Sequence, residues 1–371
     1  MTEKKINILF ITNALEVGGA EKFLLDLIKH LDRTKFNPSL ATVIGGGSLE
    51  PDFQALNLPI YIHGRQRLRY LGGLKQFWQL YKLIKKIQPD IVHTQLFAAD
   101  LWGRLAAALA GVKLIVTTEQ NVNLDQSWLR ETLKKWTYCL TVKVVAISTA
   151  VKNYAHQRYT VPLEKIEIIP NDVDLENWEQ RIAAAPTKKT DKKILITTGR
   201  LVPQKGQTYL LSALALLPSK YNYELWIVGG GPLKTDLENQ AQKLGLENKV
   251  KFLGTRHDVP ELLAQADLFV FSSIFEGLGI AVLEAAVARL PIVASKIDGL
   301  LDIIQDGQSG LLVEPKNPAA LAQAIETMLE HPEQAKAMAE QAYNYVKNNF
   351  EVKVIIERYQ KLFTEVYYNK K

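Results

Sequence analysis

The strongest chemical signal in this sequence is SSIFEGLGIAVLE, residues 272–284. Glu276 follows an apolar run, and Glu284 lies among small apolar residues, where a solvated helix face is the simpler alternative. Carboxylates after a strand and in the helix behind it can accept hydrogen bonds from hydroxyl-rich ligands such as sugars. The backbone amides of Gly277–Gly279, with a helix predicted to begin near Leu278, would meet a phosphate.

A second segment, GRLVPQKG, follows another apolar run and carries two cations, Arg200 and Lys205, behind Gly199. Arginine can bind a diphosphate through a bidentate fork, and lysine can bind it as a point charge. The alternative is a loop with two solvated cations.

Two further glycine-rich turns could bring backbone amides close to a ligand. NALEVGGAE contains Gly18 and Gly19 before a predicted helix, whose N-terminus favours an anion, and VGGGP contains Gly229 and Gly230. Glycine is also common in ordinary strand-to-helix turns, so neither turn is specific alone.

Strand and helix patterns alternate along the chain and would position these loops. Residues 5–12 form an apolar run, and Leu24, Leu27, Ile28 and Leu31 show the spacing of an amphipathic helix. Further strands are predicted at residues 39–44, 60–63, 91–94, 114–118, 142–147, 166–169, 193–198, 224–228, 250–253, 268–271 and 291–295. Apolar strands between helices predict an α/β protein with parallel sheets covered on both faces.

The alternation lapses once, and this lapse predicts two doubly wound, Rossmann-like domains. We expect an N-terminal domain over 1–170, an interdomain crossover and linker over 171–192, and a C-terminal domain over 193–350. Ligands in such sheets bind at the carboxyl ends of the strands, so two domains would form a cleft where those ends face each other.

Composition limits the class of protein. With 371 residues, 47% hydrophobic and 23% charged, the chain is expected to be globular. We interpret its apolar N-terminal run as a strand, not a signal peptide. The single cysteine, Cys139, cannot form an intramolecular disulfide, which fits a cytoplasmic protein, and we expect it on a buried helix face.

The charge is concentrated in the first half, where residues 1–170 contain 22 Lys and Arg against 14 Asp and Glu. The densest stretch, Arg65–Lys86, holds seven basic residues, no acid, and interleaved aromatics such as Trp78 and Tyr81. It predicts either a solvated helix or a surface for anionic lipid at the inner face of the plasma membrane. No nucleic-acid-binding module is recognised.

These motifs in combination resemble the retaining glycosyltransferases of the GT-B fold, family 4. The resemblance covers essentially the whole chain and rests on VGGAE, GRLVPQKG, VGGGP, GLLVEPKNP, and EGLGIAVLE with seven residues between its glutamates. It implies two Rossmann-like domains, with the last helix, about residues 352–368, packing back on the N-terminal domain. It also implies a transfer that needs no metal and no cofactor, because the nucleotide sugar is a co-substrate.

The resemblance also implies roles for individual residues. Arg200 and Lys205 would hold the donor diphosphate, Glu276 would position the donor sugar, and Glu284 would bind the ribose. The leaving phosphate would take the acceptor proton, so a carboxylate pair of the glycosidase kind is not required. Gly18 and Gly19 would line the cleft from the N-terminal side.

Four positions depart from the family pattern or have a second interpretation. Gln120 stands where the family often has a histidine that contacts the donor sugar, and an amide cannot carry a proton at neutral pH. His93 matches a family histidine, although a strand-end histidine is often structural; both are candidates on the acceptor side. Asp172 and Asp174 fit the metal-binding Asp-x-Asp pattern, but at a domain crossover they are expected to form a turn.

The expected activity is therefore transfer of a hexose-type sugar from a nucleotide diphosphate sugar to a hydroxyl of a glycan or lipid-linked acceptor. UDP is the commoner nucleotide among similar enzymes, and envelope or extracellular polysaccharide assembly is the expected setting. A nucleotide-sugar epimerase of the same fold and a non-catalytic two-lobed sugar-binding module remain alternatives.

Overall fold

The computed structural model describes residues 4–64, 72–122 and 127–369. The chain divides into two compact units. The first unit combines Met1–Asp172 with Val352–Lys371, and the second is Val173–Glu351.

Strands and helices alternate as the sequence pattern predicts. The strands are β1 Ile6–Thr12, β2 Phe36–Thr42, β3 Ile60–Ile62, β4 Ile91–Gln95, β5 Leu114–Glu119, β6 Lys143–Ala146, β7 Ile166–Ile168, β8 Lys193–Thr198, β9 Tyr223–Val228, β10 Val250–Gly254, β11 Leu268–Phe271, β12 Ile292–Ser295 and β13 Leu311–Val313. The helices are α1 Gly19–His30, α2 Glu50–Gln54, α3 Gly72–Ile87, α4 Phe97–Leu109, α5 Trp128–Thr137, α6 Thr149–Tyr159, α7 Leu175–Ala183, α8 Gln207–Leu216, α9 Lys234–Lys243, α10 Val259–Leu263, α11 Ile280–Val287, α12 Asp298–Leu301, α13 Pro318–Glu330, α14 Pro332–Phe350 and α15 Val352–Tyr368.

Each unit is built on one parallel sheet. The first sheet has the order β3-β2-β1-β4-β5-β6-β7, and the second has the order β10-β9-β8-β11-β12-β13. In both, the chain moves outward in one direction and then returns to the other side, so the order switches between β1 and β4 and between β8 and β11. The prediction of two doubly wound, Rossmann-like sheets is confirmed, and these switch points are where such sheets bind ligands.

Apolar side chains on both faces of the first sheet explain why it is covered by helices. On one face, Phe10 and Phe36 pack against Phe363 and Tyr359 of α15 in one buried cluster. On the other face, Leu9 belongs to a cluster with residues of α3 and α4. The last helix therefore completes the core of the first unit.

The second sheet has a comparable core. Strand residues such as Leu225 and Val270 pack with Leu210 of α8, Leu237 of α9 and Ile325 of α13. Full burial of these aliphatic side chains stabilises the unit by roughly 1.5–3 kcal/mol each.

Three details differ from the sequence-based picture. The predicted linker contains α7, where Arg181 forms two hydrogen bonds to the Glu261 carboxylate of α10, at 2.8 and 2.9 Å. The short strand β13 has only three residues and was not predicted. The prediction for Cys139 was wrong, because it lies in a 3-10 turn after α5 and is exposed.

The basic stretch is only partly described, since its arginines at 65, 67 and 69 lie outside the described residues. Its remainder forms α3, which buries Leu80, Leu83 and Ile84 and exposes Trp78. No helix in the described part of the chain is long and apolar enough to cross a bilayer.

Candidate active site

The switch point of the second sheet brings together the loops after β8 and β11. The 3-10 turn Pro203–Lys205 ends at Gly206, whose φ of +61° suits glycine. A Cβ on Gly206 would lie 2.2 Å from the Ser272 carbonyl oxygen, so this glycine lets the two loops touch. The Ser272 hydroxyl completes the junction by donating to the Lys205 carbonyl oxygen at 3.1 Å.

Two hydrogen bonds, one donated and one accepted by Gln204, hold the two loops together. The Gln204 side-chain amide donates to the Phe275 carbonyl at 2.9 Å, and its backbone carbonyl accepts from the Ile274 N–H at 2.8 Å. The backbone on either side of Lys205 and before Glu276 is therefore fixed by neighbouring atoms.

The result is an ion pair between Lys205 and Glu276. The Lys205 ammonium lies 2.5 Å from Glu276 Oε1, and the Ser273 hydroxyl donates to the same oxygen at 2.7 Å. The ammonium also lies 5.2 Å from the centroid of the Phe271 ring. The two side chains are 17% and 9% exposed, so the pair is partly desolvated and still open to a ligand.

Arg200 lies in the same loop, five positions before Lys205. Its backbone carbonyl accepts a hydrogen bond from Gln207 at 3.0 Å, while the residue itself is exposed. Within the described part of the second unit it forms no ion pair, so its guanidinium is available for an anion.

The glycines of VGGGP turn out to be needed for packing between loops. Gly229 has a φ of +140°, and a Cβ there would lie 1.9 Å from the Gly199 carbonyl oxygen. A Cβ on Gly230 would lie 2.9 Å from the Thr255 hydroxyl. Gly229 and Gly230 therefore lie close to neighbouring protein atoms. The donor-binding role predicted for them stays a prediction.

The turn before α11 also packs against neighbouring protein atoms. The helix begins at Ile280, two residues later than predicted, and the Gly279 N–H is directed at the Gly299 carbonyl at 3.4 Å. A Cβ on Gly279 would lie 2.1 Å from Leu300. The Gly279 N–H therefore has a neighbouring protein acceptor in this structure, and the phosphate-binding role predicted for this amide stays a prediction.

The other predicted residues of this segment are distributed as follows. Leu278 is buried at 6% exposure, and Gly277 precedes it in the turn. Glu284 is half-buried in the second turn of α11. Among the predicted charged residues, Lys205 and Glu276 are in direct contact.

In the first unit, Gly18 and Gly19 lie where β1 passes into α1. Gly18 is the N-cap residue, and a Cβ there would lie 2.4 Å from the Glu21 carboxylate. Burial raises the pKa of Glu21. Gly19 is exposed as the first helical residue, so this turn keeps an accessible backbone.

Gln120 belongs to a neutral network at the switch point of the first sheet. Its carbonyl accepts from Asn171 at 3.0 Å, and its amide donates to Gln95 at 3.4 Å. Gln95 in turn donates to the Thr12 hydroxyl at 3.3 Å. Gln120 is 6% exposed. Through these hydrogen bonds it connects the ends of β1, β4 and β5 with the crossover at Asn171.

His93 is fully buried, which favours the structural alternative for this strand-end histidine. One ring nitrogen lies 2.8 Å from the Thr118 hydroxyl, and Phe10 and Phe363 pack edge-on against the ring. Burial lowers the pKa of His93 to about 3, so the ring is neutral at ordinary pH. An acceptor could reach it only if the surrounding side chains moved.

Sequence reasoning missed a buried ionic cluster beside Gln120. Glu119 accepts from Lys134 at 2.7 Å and also from the Tyr138 hydroxyl, while Arg104 lies 3.3 Å from Asp100. Burial raises the pKa of Asp100, although Arg104 and Lys134 oppose the shift. The sequence around Lys134, a run of basic and aromatic residues, does not predict that this lysine is buried, because its burial depends on tertiary contacts.

Asp174 bears on the metal-binding alternative. Its carboxylate accepts from the Asn177 N–H at 3.0 Å and caps α7. This bond explains an aspartate at that position without a metal, in the way that N-cap residues usually do. In the described residues no three His, Cys, Asp or Glu side chains are grouped for a metal ion.

Comparison with known proteins decides the family. The family model "Glycosyltransferase Family 4" matches residues 17–177, and "Glycosyl transferases group 1" matches residues 179–345. The chain is a family 4 glycosyltransferase. VGGAE lies within the first of these ranges, and the other four motifs that suggested the resemblance lie within the second.

Relatives of this family 4 glycosyltransferase include enzymes of known specificity. The chain is 27% identical to the UDP-Gal:alpha-D-GlcNAc-diphosphoundecaprenol alpha-1,3-galactosyltransferase of Escherichia coli, over 100% of this chain and 99% of the relative. It is 30% identical to the putative glycosyltransferase EpsD of Bacillus subtilis, over 72% of this chain and 75% of the relative. The chain is therefore a transferase enzyme, and known relatives act on lipid-linked acceptors.

Solved structures support the same fold. HepE of Anabaena, in complex with UDP, matches with a TM-score of 0.84 and 24% identity, over 97% of this chain and 100% of HepE. The glycosyltransferase from Rickettsia africae matches with a TM-score of 0.84 and 24% identity, over 98% of this chain and 99% of that one. These likenesses confirm the GT-B fold.

Proposed function

We propose that this glycosyltransferase moves a hexose-type sugar from a UDP-sugar to a hydroxyl of a lipid-linked glycan, with retention at the anomeric carbon. The setting is assembly of envelope or extracellular polysaccharide, and the reaction needs no metal ion. The observation that carries the proposal is the Lys205–Glu276 pair at the switch point of the second sheet, with exposed Arg200 in the same loop.

The chemistry of the pair suits a nucleotide diphosphate sugar. Lys205 has three N–H donors, and the bond to Glu276 uses one of them. The remaining donors and the Arg200 guanidinium can bind the diphosphate and stabilise the charge that grows on it as the sugar leaves. Arginine and lysine together would thus replace a metal ion.

Glu276 is suited to orient the sugar. Both hydrogen bonds that it accepts from described residues fall on Oε1, from Lys205 and Ser273. Its Oε2 can accept from a sugar hydroxyl, with Glu284 proposed for the ribose. The leaving phosphate would take the acceptor proton, so Glu276 acts by positioning and not as a base.

The names of relatives support the donor and the acceptor class. The Escherichia coli relative uses UDP-Gal and a diphosphoundecaprenol-linked sugar, and a HepE structure holds UDP-glucose. By analogy, a polyprenyl-diphosphate sugar is the first acceptor to test.

The decisive experiment is a thermal shift series with UDP, GDP, ADP and CMP in EDTA. A nucleotide at 100 times its Kd stabilises the folded state by about 2.7 kcal/mol. We expect UDP alone to raise the Tm, and the Arg200→Ala/Lys205→Ala variant to lose the effect. Lys234→Met, in an exposed Lys–Glu pair of the same unit, is the matched control.

Transfer is then measured with UDP-sugars and a polyprenyl-diphosphate sugar, and the product's anomeric configuration is read by NMR. An α-linked product from an α-linked donor is expected. A strict need for Mn²⁺, an inverted product, or a sugar epimerised without acceptor would each contradict the proposal.

A further inference from the structure

Helix α5 turns its apolar side chains to the solvent and a charged side chain to the protein interior. A helix on a globular protein normally turns its apolar stripe to the core. In α5, Trp128 and Trp136 are 76% and 81% exposed, and Leu129 and Leu133 are exposed beside them. The side chain turned inward is Lys134, which is only 4% exposed.

The inner face of α5 is locked by the buried ionic cluster. The Lys134 ammonium binds Glu119 at 2.7 Å and lies 5.1 Å from the centre of the Tyr159 ring. Thr137 on the same face accepts from Arg104 at 3.1 Å. A rotation that buried the tryptophans would leave these charges unpaired in the core, so the apolar face is fixed outward.

The exposed face is continuous along the helix. Trp128, Thr132 and Trp136 follow one another at four-residue intervals, and side chains four apart are neighbours on a helix. The Thr132 hydroxyl donates to the Trp128 carbonyl at 2.8 Å, so this polar group is satisfied within the helix. The face therefore presents an apolar strip with indole rings at both ends.

The charges around this strip are positive. Arg130 and Lys135 are exposed on α5, whereas the acidic Glu131 is tied to Arg158 at 2.9 Å. An apolar strip with tryptophans and flanking basic residues is the pattern of helices that lie in the interface of an anionic bilayer.

We propose that α5 is the membrane-docking face of this enzyme and that its partner is the interface of an anionic phospholipid bilayer. Trp128, Leu129, Leu133 and Trp136 would insert among the headgroups, while Arg130 and Lys135 contact lipid phosphates. The membrane contact is thus assigned to α5 and not to α3 of the basic stretch, because α3 turns Leu80, Leu83 and Ile84 towards the core. This inference rests on the proposed function, because a lipid-linked acceptor gives the enzyme a reason to bind a membrane.

The size of the face favours a bilayer over a second copy of the chain. Trp128 and Trp136 are 76% and 81% exposed, and an aromatic side chain carries about 150–250 Å², so the strip with its two leucines offers on the order of 500 Å² of accessible surface. A stable protein interface needs about 800 Å² from each partner. Insertion of a few side chains into a bilayer requires no such area.

The test is co-flotation of the full chain with vesicles of phosphatidylglycerol and phosphatidylethanolamine. We expect Trp128→Ala/Trp136→Ala to weaken vesicle binding at least tenfold without changing the thermal shift by UDP. Trp78→Ala, which removes a half-exposed tryptophan of α3, is the matched control and should retain binding.

Three outcomes would overturn the inference. Vesicle binding could be unchanged in the double variant, or it could be lost only in Trp78→Ala. Light scattering could also show a dimer that the double variant converts to a monomer, which would make a second copy the partner. If UDP stabilises neither the wild type nor the double variant, but the double variant loses vesicle binding, the donor proposal is wrong and the docking face is supported.

Discussion

Each unit has a Lys–Glu pair at the carboxyl edge of its sheet, and the two pairs have different surroundings. The Lys134 ammonium lies 2.7 and 2.5 Å from the two carboxylate oxygens of Glu119, and Tyr138 and the Asp100–Arg104 pair enclose them. Lys205 and Glu276 lie 2.5 Å apart beside Ser273, with Lys205 17% exposed.

The comparison shows that surroundings, and not residue type, separate a structural ion pair from a ligand-binding one. The pair at Glu119 uses its donors and acceptors within the protein and holds α5 in place. The pair at Glu276 keeps donors and an acceptor oxygen for a ligand. Removing one partner from each should therefore affect different properties.

The largest effect is expected from Lys134→Met, measured as the free energy of unfolding in urea. Breaking a buried pair leaves an uncompensated charge and costs about 3–5 kcal/mol. The Glu119→Gln/Lys134→Met double variant removes both charges and should recover much of this loss. A cost for Lys134→Met below about 1 kcal/mol, the range of exposed pairs, would mean that the cluster is not desolvated.

Lys205→Met should have a smaller and different effect. Loss of a group that stabilises developing charge lowers the rate by about 10²–10³-fold, or roughly 2.7–4 kcal/mol in the barrier. Stability should fall by about 1–3 kcal/mol, less than for Lys134→Met, because Ser273 still donates to Glu276 and the pair is partly solvated. Transfer kinetics and urea unfolding of the same protein measure both, with Lys234→Met as the control.

A Lys205→Met variant that transfers sugar at the wild-type rate would remove the distinction between the two pairs. So would one that unfolds as readily as Lys134→Met, since both pairs would then be structural.

The prediction with the smallest effect near neutral pH is a pH dependence of stability from His93 in the first unit. Its pKa is about 3 in the folded chain, below the ordinary value of 6.5. Between these values the unfolded chain binds a proton that the folded chain excludes, so stability is present above pH 6.5 and lost as the pH falls towards 3. The slope is at most about 1.4 kcal/mol per pH unit.

Urea unfolding between pH 7 and 4 measures this slope, and His93→Gln should reduce it. An unchanged slope in His93→Gln would show that the ring is solvated or that other groups dominate. Because the comparison is between two proteins at each pH, titration of the carboxylates cancels to first order.

Much of the fold could be predicted because its pattern is local. Residues 193–198 and 268–271 were predicted as strands with the bounds that the structure gives. Each is a continuous apolar run between polar segments, and such runs suit strands buried on both faces. In contrast, β13 was not predicted, although β3 and β7, which also have three residues each, were.

The candidate site was predictable in its residue types but not in its contacts. Arg200, Lys205 and Glu276 were identified from their positions after apolar runs. That Lys205 and Glu276 touch depends on β8 and β11 being neighbours, which is a property of the sheet order. The packing roles of Gly229 and Gly279 are also tertiary, because their neighbours are distant in sequence or lie in another loop.

The sequence by itself determined the alternation of elements, the two sheets and the motifs of the family, because these depend on local periodicity and short spacings. Only the tertiary structure decided which charges are enclosed and which are open. Lys134 and Lys205 are both lysines near aromatic residues, and only the position of α5 over the first sheet buries one of them. Burial depends on what distant segments place above a side chain, and that information is not local.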